Sequence, residues 1–313
     1  MKVGMIDVDW RHRQKMTFPN LSLMKLSAWH KRQGDDVIWY DTPITSGHVD
    51  KCYVSKVFSD TYTPDIDFTP DADEIVRGGS GYAIDLKDGH EQYHKERDSE
   101  LPYEIEHIMP DYSLYGITDT AYGFLSRGCP RGCPFCIVAD KEGRFSHKVA
   151  DLREWWDGQK RIVLMDPNIL ACPDWEDLLG QLAGSGAEID INQGADVRLL
   201  TPDKAEALSR LKMKRIHFAW DGTDDLEPMF RAAAEPFGKM IRAHRVSVYV
   251  LTNYNTDMDW NLHRIYTLRD LGYDPYVMVY DKEHAPHEIR RLQRWCNNKI
   301  VFKKCKDFKE YKP

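Results

Sequence analysis

Short apolar runs alternate with segments of helical periodicity along most of the chain. Residues 2–8 form an apolar run that is typical of a buried strand. Residues 19–33 follow with apolar side chains at mostly helical spacing, and Gly34 stands where a glycine commonly ends a helix. The next apolar run, 36–40, completes a strand–helix–strand unit and therefore predicts a parallel sheet. Two further strands are predicted at 53–58 and 74–76.

The alternation becomes more regular after residue 118. Strands are predicted at 122–125, 161–165, 188–191, 215–219, 247–251 and 276–279. Helices are predicted at 175–183, 202–211, 226–243 with a break near Pro236, and 259–271. Asp174 and Thr201 are placed as helix N-caps. Six strand–helix units predict an open partial (β/α)6 barrel, because a closed eight-stranded barrel needs two more units.

These elements divide the chain into four segments of an α/β protein. Residues 1–84 are predicted to form a small Rossmann-like domain with a parallel sheet, and residues 118–283 the partial barrel. The polar, acidic segment 85–117 is interpreted as a linker, with room for a short helix. Residues 284–313 form a basic C-terminal extension, whose lysines and arginines are typical of a solvated helix face.

The composition and net charge of the chain argue against some classes of function. The chain has 313 residues, 42% of them hydrophobic and 30% charged, which is ordinary for a globular protein. A net charge of −7 argues against a broad nucleic-acid-binding surface. We expect no membrane association and a cytoplasmic location, because no apolar segment approaches membrane-spanning length and the N-terminus lacks the apolar core of a signal peptide.

A cluster of three cysteines carries the strongest chemical signal. Cys129, Cys133 and Cys136 fall within eight residues, spaced C-x3-C-x2-C, directly after the predicted strand 122–125. Glycines and prolines between them allow a tight loop in which three thiolates can converge. Such ligands suit zinc or an iron–sulfur cluster. A structural zinc site usually takes a second cysteine pair, and the sequence contains no second C-x2-C.

This motif, with the aromatic Phe135 before its third cysteine, resembles that of the radical S-adenosylmethionine (radical SAM) enzymes. The resemblance implies a [4Fe–4S] cluster held by Cys129, Cys133 and Cys136, with one iron left for the amino and carboxylate groups of SAM. Electron transfer would cleave SAM to methionine and a 5′-deoxyadenosyl radical, which abstracts hydrogen from a substrate. The resemblance also implies an external electron donor such as a flavodoxin or a ferredoxin.

Candidate SAM contacts follow from the resemblance by strand position. They are Asp166, Asn168, Asn192, Gln193, Arg198 and Asn253. The first two end the second barrel strand and would accept hydrogen bonds from the amino group. The three at the third strand would serve the carboxylate and ribose, and the last the ribose or adenine. The Gly-Gly-Glu usual after the second strand is replaced by Met-Asp-Pro-Asn, as in the branch with a cobalamin-binding domain.

Residues 1–84 resemble a shortened form of that cobalamin-binding domain. The segment Asp9 to His12 does not match Asp-x-His-x-x-Gly, whose histidine binds cobalt in the family. The glycines of 78–81 could cradle a phosphate, but no clear helix or suitably placed lysine follows them. We therefore interpret this domain as vestigial or repurposed, and we do not expect a cobalamin cofactor.

Substrate and reaction type are not readable from the sequence, so the substrate could be a small molecule, a peptide or a nucleic acid. A cobalamin-assisted radical SAM methyltransferase and a zinc-stabilised binding module remain as alternatives. Cys172 could line the site, although a buried small apolar residue is the preferred interpretation. Cys296 and Cys305 are too few for a second cluster domain.

Overall fold

Two parallel sheets and their helices make up the fold. The computed structural model describes residues 1–13, 18–87, 90–240 and 245–312. The strands are β1 (Lys2–Asp7), β2 (Asp36–Trp39), β3 (Val49–Ser55), β4 (Ala72–Gly78), β5 (Ile84–Lys87), β6 (His90–Tyr93), β7 (Thr120–Gly123), β8 (Ser126–Arg127), β9 (His147–Lys148), β10 (Arg161–Leu164), β11 (Glu188–Ala195), β12 (Met213–Ala219), β13 (Val246–Thr252) and β14 (Asp274–Val279). The helices are α1 (Val8–Arg13), α2 (Leu21–Arg32), α3 (Pro43–Ser46), α4 (Tyr103–Glu106), α5 (Val138–Glu142), α6 (Trp175–Ser185), α7 (Pro202–Ser209), α8 (Glu227–Met240), α9 (Met258–Asp270), α10 (His287–Asn297) and α11 (Lys299–Lys304).

The first sheet has the strand order β2-β1-β3-β4, and all of its pairs are parallel. Helix α2 connects β1 to β2, and its N-cap Asn20 accepts a hydrogen bond from the backbone N–H of Leu23 at 3.2 Å. Leu23 packs with Val3 and Met5 of β1, and all three side chains are fully buried. Burial of this apolar face supplies the main stabilisation of the unit. The predicted strand–helix–strand unit and its parallel sheet are confirmed.

Local differences from the expectation lie next to this sheet. The short helix α1, which follows β1 directly, was not predicted. The strand expected at 53–58 ends at Ser55. Lys56 N still donates to Gly78 O of β4 at 3.1 Å, but the backbone N–H groups of Val57 and Phe58 donate to the buried carboxylate of Asp9 instead of to a strand. The segment expected as a linker contains the antiparallel pair β5–β6 and helix α4, whose Ile105 packs into the same core as α2.

The second sheet has the strand order β14-β13-β12-β11-β10-β7. Its five predicted strands from residue 161 onwards are confirmed, and successive strands from β10 to β14 pair in parallel. The break expected near Pro236 is wrong, because α8 runs through this residue. Proline removes one backbone hydrogen bond without necessarily ending a helix. Residues 241–243 of the predicted helix lie outside the described residues. Closure of the six strands into a partial barrel stays a prediction.

The helix ends agree with the sequence in part. Thr201 caps α7 by accepting a hydrogen bond from Lys204 N at 3.4 Å. Asp174 takes the N-cap position of α6 without a side-chain cap bond. In the basic C-terminal segment, α10 buries Leu292 and Trp295 fully, and the side chain of Asn297 accepts from Val277 N of β14 at 2.8 Å. This helix therefore packs on the sheet through a buried face.

The chain divides into two compact units. The first comprises residues 1–123, 128–144 and 150–159, and the second 124–127, 145–149 and 160 to the C-terminus. In the part of the chain that the structure describes, no helix combines the length and the apolar character needed to cross a bilayer. The cysteine motif lies in the first unit, whereas the candidate SAM contacts lie in the second.

Candidate metal and cofactor site

The cysteine loop begins two residues after β8. Gly128, directly before Cys129, and Gly132, between Cys129 and Cys133, have positive φ values of 84° and 56°, which allow sharp turns before and within the loop. The backbone N–H of Cys129 donates to Gly143 O at 3.1 Å, and that of Cys136 donates to Cys133 O at 3.0 Å. All three cysteines are half-buried and none is in a disulfide. The loop is tight, as the sequence predicts, and the convergence of its three thiolates on one metal site stays a prediction.

Neighbouring charged side chains hold this loop at two further points. Glu142 accepts a hydrogen bond from the backbone N–H of Gly128 at 3.1 Å. The guanidinium of Arg144 lies so close to Gly132 that an added Cβ would approach it to 2.3 Å. The positive φ of Gly132 favours glycine at this position, and a side chain there would also require the flexible end of Arg144 to shift. The loop conformation is specified by its own residues and by the short helix α5 that follows it.

The spacing of the three thiols can be compared with the geometry that a single zinc ion requires. Four thiolates around zinc at about 2.3 Å would stand about 3.8 Å apart in a tetrahedron. Two groups of His, Asp and Glu in the described chain bring their ligand atoms within 4.8 Å of one another: His48, Asp50 and Asp73, and Asp225, Glu227 and His263. The three cysteines, all of them described, are not such a group. Thiolates that each bind a different iron of a [4Fe–4S] cluster need no such convergence.

Asp166 follows β10, and its side chain is hydrogen-bonded to the backbone of another segment. Its carboxylate accepts hydrogen bonds from Leu125 N at 2.7 Å, from Ser126 N at 2.7 Å and from Ser126 Oγ at 2.6 Å. The side chain is 1% exposed. Burial raises the pKa of this carboxyl to about 7, against the lowering effect of the three donors and of Arg127. The prediction that it contacts SAM is not decided by this geometry.

Asn168 is also buried, at 2% exposure. Its Oδ1 accepts a long hydrogen bond, 3.4 Å, from the backbone N–H of Asp196 at the end of β11. Its carbonyl accepts from Ala171 N, which closes the single turn after the strand. The side chain therefore links the ends of β10 and β11, two of the strands whose carboxyl ends were expected to carry ligand-binding groups.

Asn192 and Gln193 occupy an irregularity in β11. Ile191 pairs with Ile216 of β12, but the next partner of β12, His217, pairs with Gly194, so two residues are left outside the register. Such irregularities often redirect side chains near functional sites. Gln193 is exposed, and the carbonyl of Asn192 accepts from the hydroxyl of Tyr249 at 3.0 Å. The sequence predicted that the strand ends at Ile191, whereas it continues to Ala195.

Arg198 is held by two carboxylates. Its Nε donates to Asp196 at 2.8 Å, and its NH1 donates to Asp224 at 3.1 Å. The side chain of Asp196 is 6% exposed and that of Asp224 is 71% exposed. One partner thus orients the guanidinium, and the other is a solvent-facing contact that an incoming carboxylate could replace.

Asn253 lies in a group of unusual backbone conformations after β13 and β14. In the described chain the non-glycine residues with positive φ are Asn253 at 63°, Asn255 at 51° and Asp281 at 44°. The Asn253 side chain donates to Tyr280 O at 2.8 Å and so ties the two strand ends together. Non-glycine residues in this region are uncommon and tend to gather at functional sites.

The buried arginine Arg264, which contacts the ends of β12 and β13, was not predicted from the sequence. Arg264 of α9 is fully buried and donates to the carbonyls of Trp220 at 2.6 Å and Leu251 at 2.9 Å, which lie at the ends of β12 and β13. The carboxylate of Asp221 accepts from Leu251 N at 2.9 Å, and burial raises its pKa to about 6. A signal was present, since Arg264 lies between Asn261 and Leu268 on the buried stripe of α9.

The remaining cysteines lie apart from the loop in the sequence. Cys172 is 1% exposed, and burial raises the pKa of its thiol. Cys296 is fully buried, and burial raises its pKa to about 12. Thiols that are hard to ionise are poor metal ligands. Cys305 is half-buried, with its Sγ 3.2 Å from Asp307 O.

In the glycine turn after β4, backbone atoms of another segment of the chain occupy the space next to the glycines. An added Cβ at Gly79 would lie 2.4 Å from Lys56 O, and one at Gly81 would lie 2.3 Å from Phe58 O. The glycines therefore allow two backbone segments to touch. A cavity of about 230 Å³ lies elsewhere in this domain, beside Trp10 and Trp39 at the ends of β1 and β2.

Neither a protein-family model nor a curated protein matches this chain.

Proposed function

We propose that this chain is a radical SAM enzyme that binds one [4Fe–4S] cluster through Cys129, Cys133 and Cys136. The observation that carries the proposal is the cysteine loop itself, in which three half-buried thiols follow the short strand β8. Left-handed glycines and the hydrogen bond from Gly128 N to Glu142 help to set the loop conformation. The proposal includes a partial barrel made from the six-stranded sheet.

The bound cluster would supply the electron that cleaves SAM to methionine and a 5′-deoxyadenosyl radical, which removes hydrogen from a substrate. The tasks of the protein are binding and orientation. Gly128 and Gly132 turn the backbone so that three thiolates can be presented, and Glu142 accepts from the backbone N–H of Gly128 at 3.1 Å. An external flavodoxin or ferredoxin would deliver the electron, and a reducing cytoplasm would keep the three thiols available.

We assign SAM binding to strand ends of the second unit, at Asn168, Asn192, Gln193, Arg198 and Asn253, with Asp166 as a further candidate. Arg198 supports the assignment, because Asp196 orients its guanidinium while the exposed Asp224 could yield to the carboxylate of SAM. The irregular register of β11 supports it as well, since it removes Asn192 and Gln193 from the strand ladder. The amide groups could donate to and accept from the ribose and adenine.

Anaerobic reconstitution with iron and sulfide tests the proposal. The wild-type chain should take up about four irons and show the spectrum of a [4Fe–4S] cluster. After reduction with dithionite it should convert SAM slowly to 5′-deoxyadenosine and methionine without its substrate. Replacement of Cys129, Cys133 and Cys136 together by Ala should abolish both. Cys305→Ala is the matched control, because this half-buried thiol lies outside the loop, and it should leave both unchanged.

Two results would contradict the proposal. One is a folded wild-type chain that binds zinc but takes up no iron and no sulfide, which would favour a zinc-stabilised binding module. The other is a cluster-loaded chain that forms no deoxyadenosine with several reductants. Full iron content in the triple cysteine variant would remove the assignment of the ligands.

A further inference from the structure

The carboxylate of Asp166 joins β10 to the segment that leads into the cysteine loop. Its two oxygens take up three donors at 2.6–2.7 Å, two of them backbone N–H groups of consecutive residues, Leu125 and Ser126. A carboxylate has about four acceptor positions, so three of them are used. Asp166 and Ser126 are each at most 1% exposed, which shields these bonds from competition with water.

We propose that Asp166 is a positioning residue for the cysteine loop, which fixes the backbone three residues before Cys129. This inference rests on the proposed function. The same segment is held on its other side as well, because Leu125 O accepts from Val149 N at 2.8 Å and Ser126 pairs with Lys148 of β9. With both sides fixed, the chain enters the loop from one defined point and in one direction.

The constraint on Ser126 acts close to the first ligand, because Cys129 follows it by three residues. Only two residues separate Ser126 from Cys129, so few backbone dihedrals remain free once Ser126 is fixed, and each fixed residue lowers the conformational entropy of the loop. If the entry to the loop is not fixed, each ligand thiol must lose that freedom when the cluster binds. Asp166 would therefore favour cluster binding through preorganisation, with no contact to iron.

Asp221 provides a matched control. It follows β12 as Asp166 follows β10, its carboxyl is buried, and it accepts a backbone hydrogen bond from Leu251 N of β13 at 2.9 Å. Leu251 leads into no metal-binding motif. Replacing Asp221 thus perturbs one backbone hydrogen bond of the same kind between strand ends, where Asp166 accepts three, without touching the approach to the cysteines.

The experiment compares Asp166→Ala, Asp166→Asn and Asp221→Asn with the wild type. In the iron-free chain, hydrogen exchange of the amides of Leu125 and Ser126 reports the local constraint directly. After reconstitution, iron per chain and the electron paramagnetic resonance spectrum of the reduced cluster report the loop. Equilibrium binding of SAM to the loaded chain is measured separately. Only preparations with the far-ultraviolet circular dichroism of the wild type are compared.

In Asp166→Ala we expect at least tenfold faster exchange at the two amides and less than half of the wild-type iron. In Asp166→Asn we expect an intermediate loss, because one oxygen still accepts while the amide nitrogen faces a backbone donor. Asp221→Asn should match the wild type in both measurements. If Asp166→Ala does not fold, the milder Asp166→Asn decides.

Wild-type iron content and an unchanged spectrum in both folded Asp166 variants would overturn the inference. That result combined with at least tenfold weaker SAM binding would show that Asp166 contacts SAM instead. An equal loss of iron in Asp221→Asn would also overturn it, since general destabilisation would then be the cause. If the wild type itself takes up no cluster, the proposed function fails, whereas unchanged amide exchange in the Asp166 variants tells against the positioning role alone.

Discussion

Replacement of Arg264 by Met should strongly destabilise the unit that carries the candidate SAM contacts. The guanidinium is fully buried and donates to Trp220 O at 2.6 Å, to Leu251 O at 2.9 Å and to Asn261 Oδ1 at 2.6 Å. Methionine can fill the space of the aliphatic stem but donates no hydrogen bond. Two carbonyls at the ends of β12 and β13 would then lose a donor, and the carboxylate of Asp221 would lose its neighbouring cation.

The magnitude follows from the number of contacts and their burial. A hydrogen bond to a charged group contributes about 1.5–3 kcal/mol, so three bonds give an upper range of about 5–9 kcal/mol. The cost of burying the guanidinium opposes them, and burial lowers its pKa to about 10. Removing one partner of a buried charged network usually costs about 3–5 kcal/mol. We expect the free energy of unfolding to fall by about 4 kcal/mol.

Urea unfolding followed by far-ultraviolet circular dichroism measures this change, with the slope of the transition as a check on cooperativity. Arg210→Met is the matched control, since it removes an exposed ion pair with Glu206 of α7 and should cost less than about 1 kcal/mol. Arg264→Lys should lie between the two, because an ammonium keeps the charge but cannot reach three acceptors in the same geometry. A loss below about 1 kcal/mol in Arg264→Met would refute the reasoning.

Two further predictions concern a close contact and the dependence of stability on pH. An added Cβ at Gly123 would lie 2.3 Å from the Trp155 ring, so Gly123→Ala should lower the free energy of unfolding by about 1–3 kcal/mol. The control Gly180→Ala, in an open position of α6, should not lower it, and thermal unfolding compares the two variants. Burial raises the folded-state pKa of Asp166 to about 7 and that of Asp221 to about 6, both from 3.8. The folded chain therefore holds more protons than the unfolded chain in this range, so the free energy of unfolding should fall as pH rises from about 4 to about 7. Urea midpoints at pH 5 and pH 8 should differ less in Asp221→Asn than in the wild type, and an equal difference would contradict the assignment.

The strands of the second sheet from residue 161 onwards were predictable because each contains a short, mainly apolar run with several buried side chains. The run at 161–165 became β10 (Arg161–Leu164), and the run at 276–279 became the core of β14 (Asp274–Val279). In such strands the local pattern of side chains carries the information about burial. The ends of the strands were less predictable, because they depend on partners that are distant in the sequence.

Details of the candidate site show why the rest could not be predicted. Asp166 bonds to Leu125, 41 residues earlier in the chain, and no local pattern marks that partner. The irregular pairing at Asn192 and Gln193 depends on the register of β12, which only the assembled sheet defines. Helix α1 follows β1 without a separating turn residue. Residue types at strand ends therefore indicated which side chains are candidates for ligand binding, but not which of them already form hydrogen bonds with the backbone.

The left-handed backbone at Asn253, Asn255 and Asp281 has a consequence for reading natural variation in this protein. Only glycine, asparagine and aspartate adopt that conformation at small cost, so these positions should reject β-branched residues whether or not a ligand binds there. An invariant asparagine among relatives would then be ambiguous evidence of binding. Substitution by glycine separates the two causes, because it keeps the backbone conformation and removes the side-chain amide. Glycine at these positions in a relative would show that the turn can be retained for its backbone conformation without a side-chain amide.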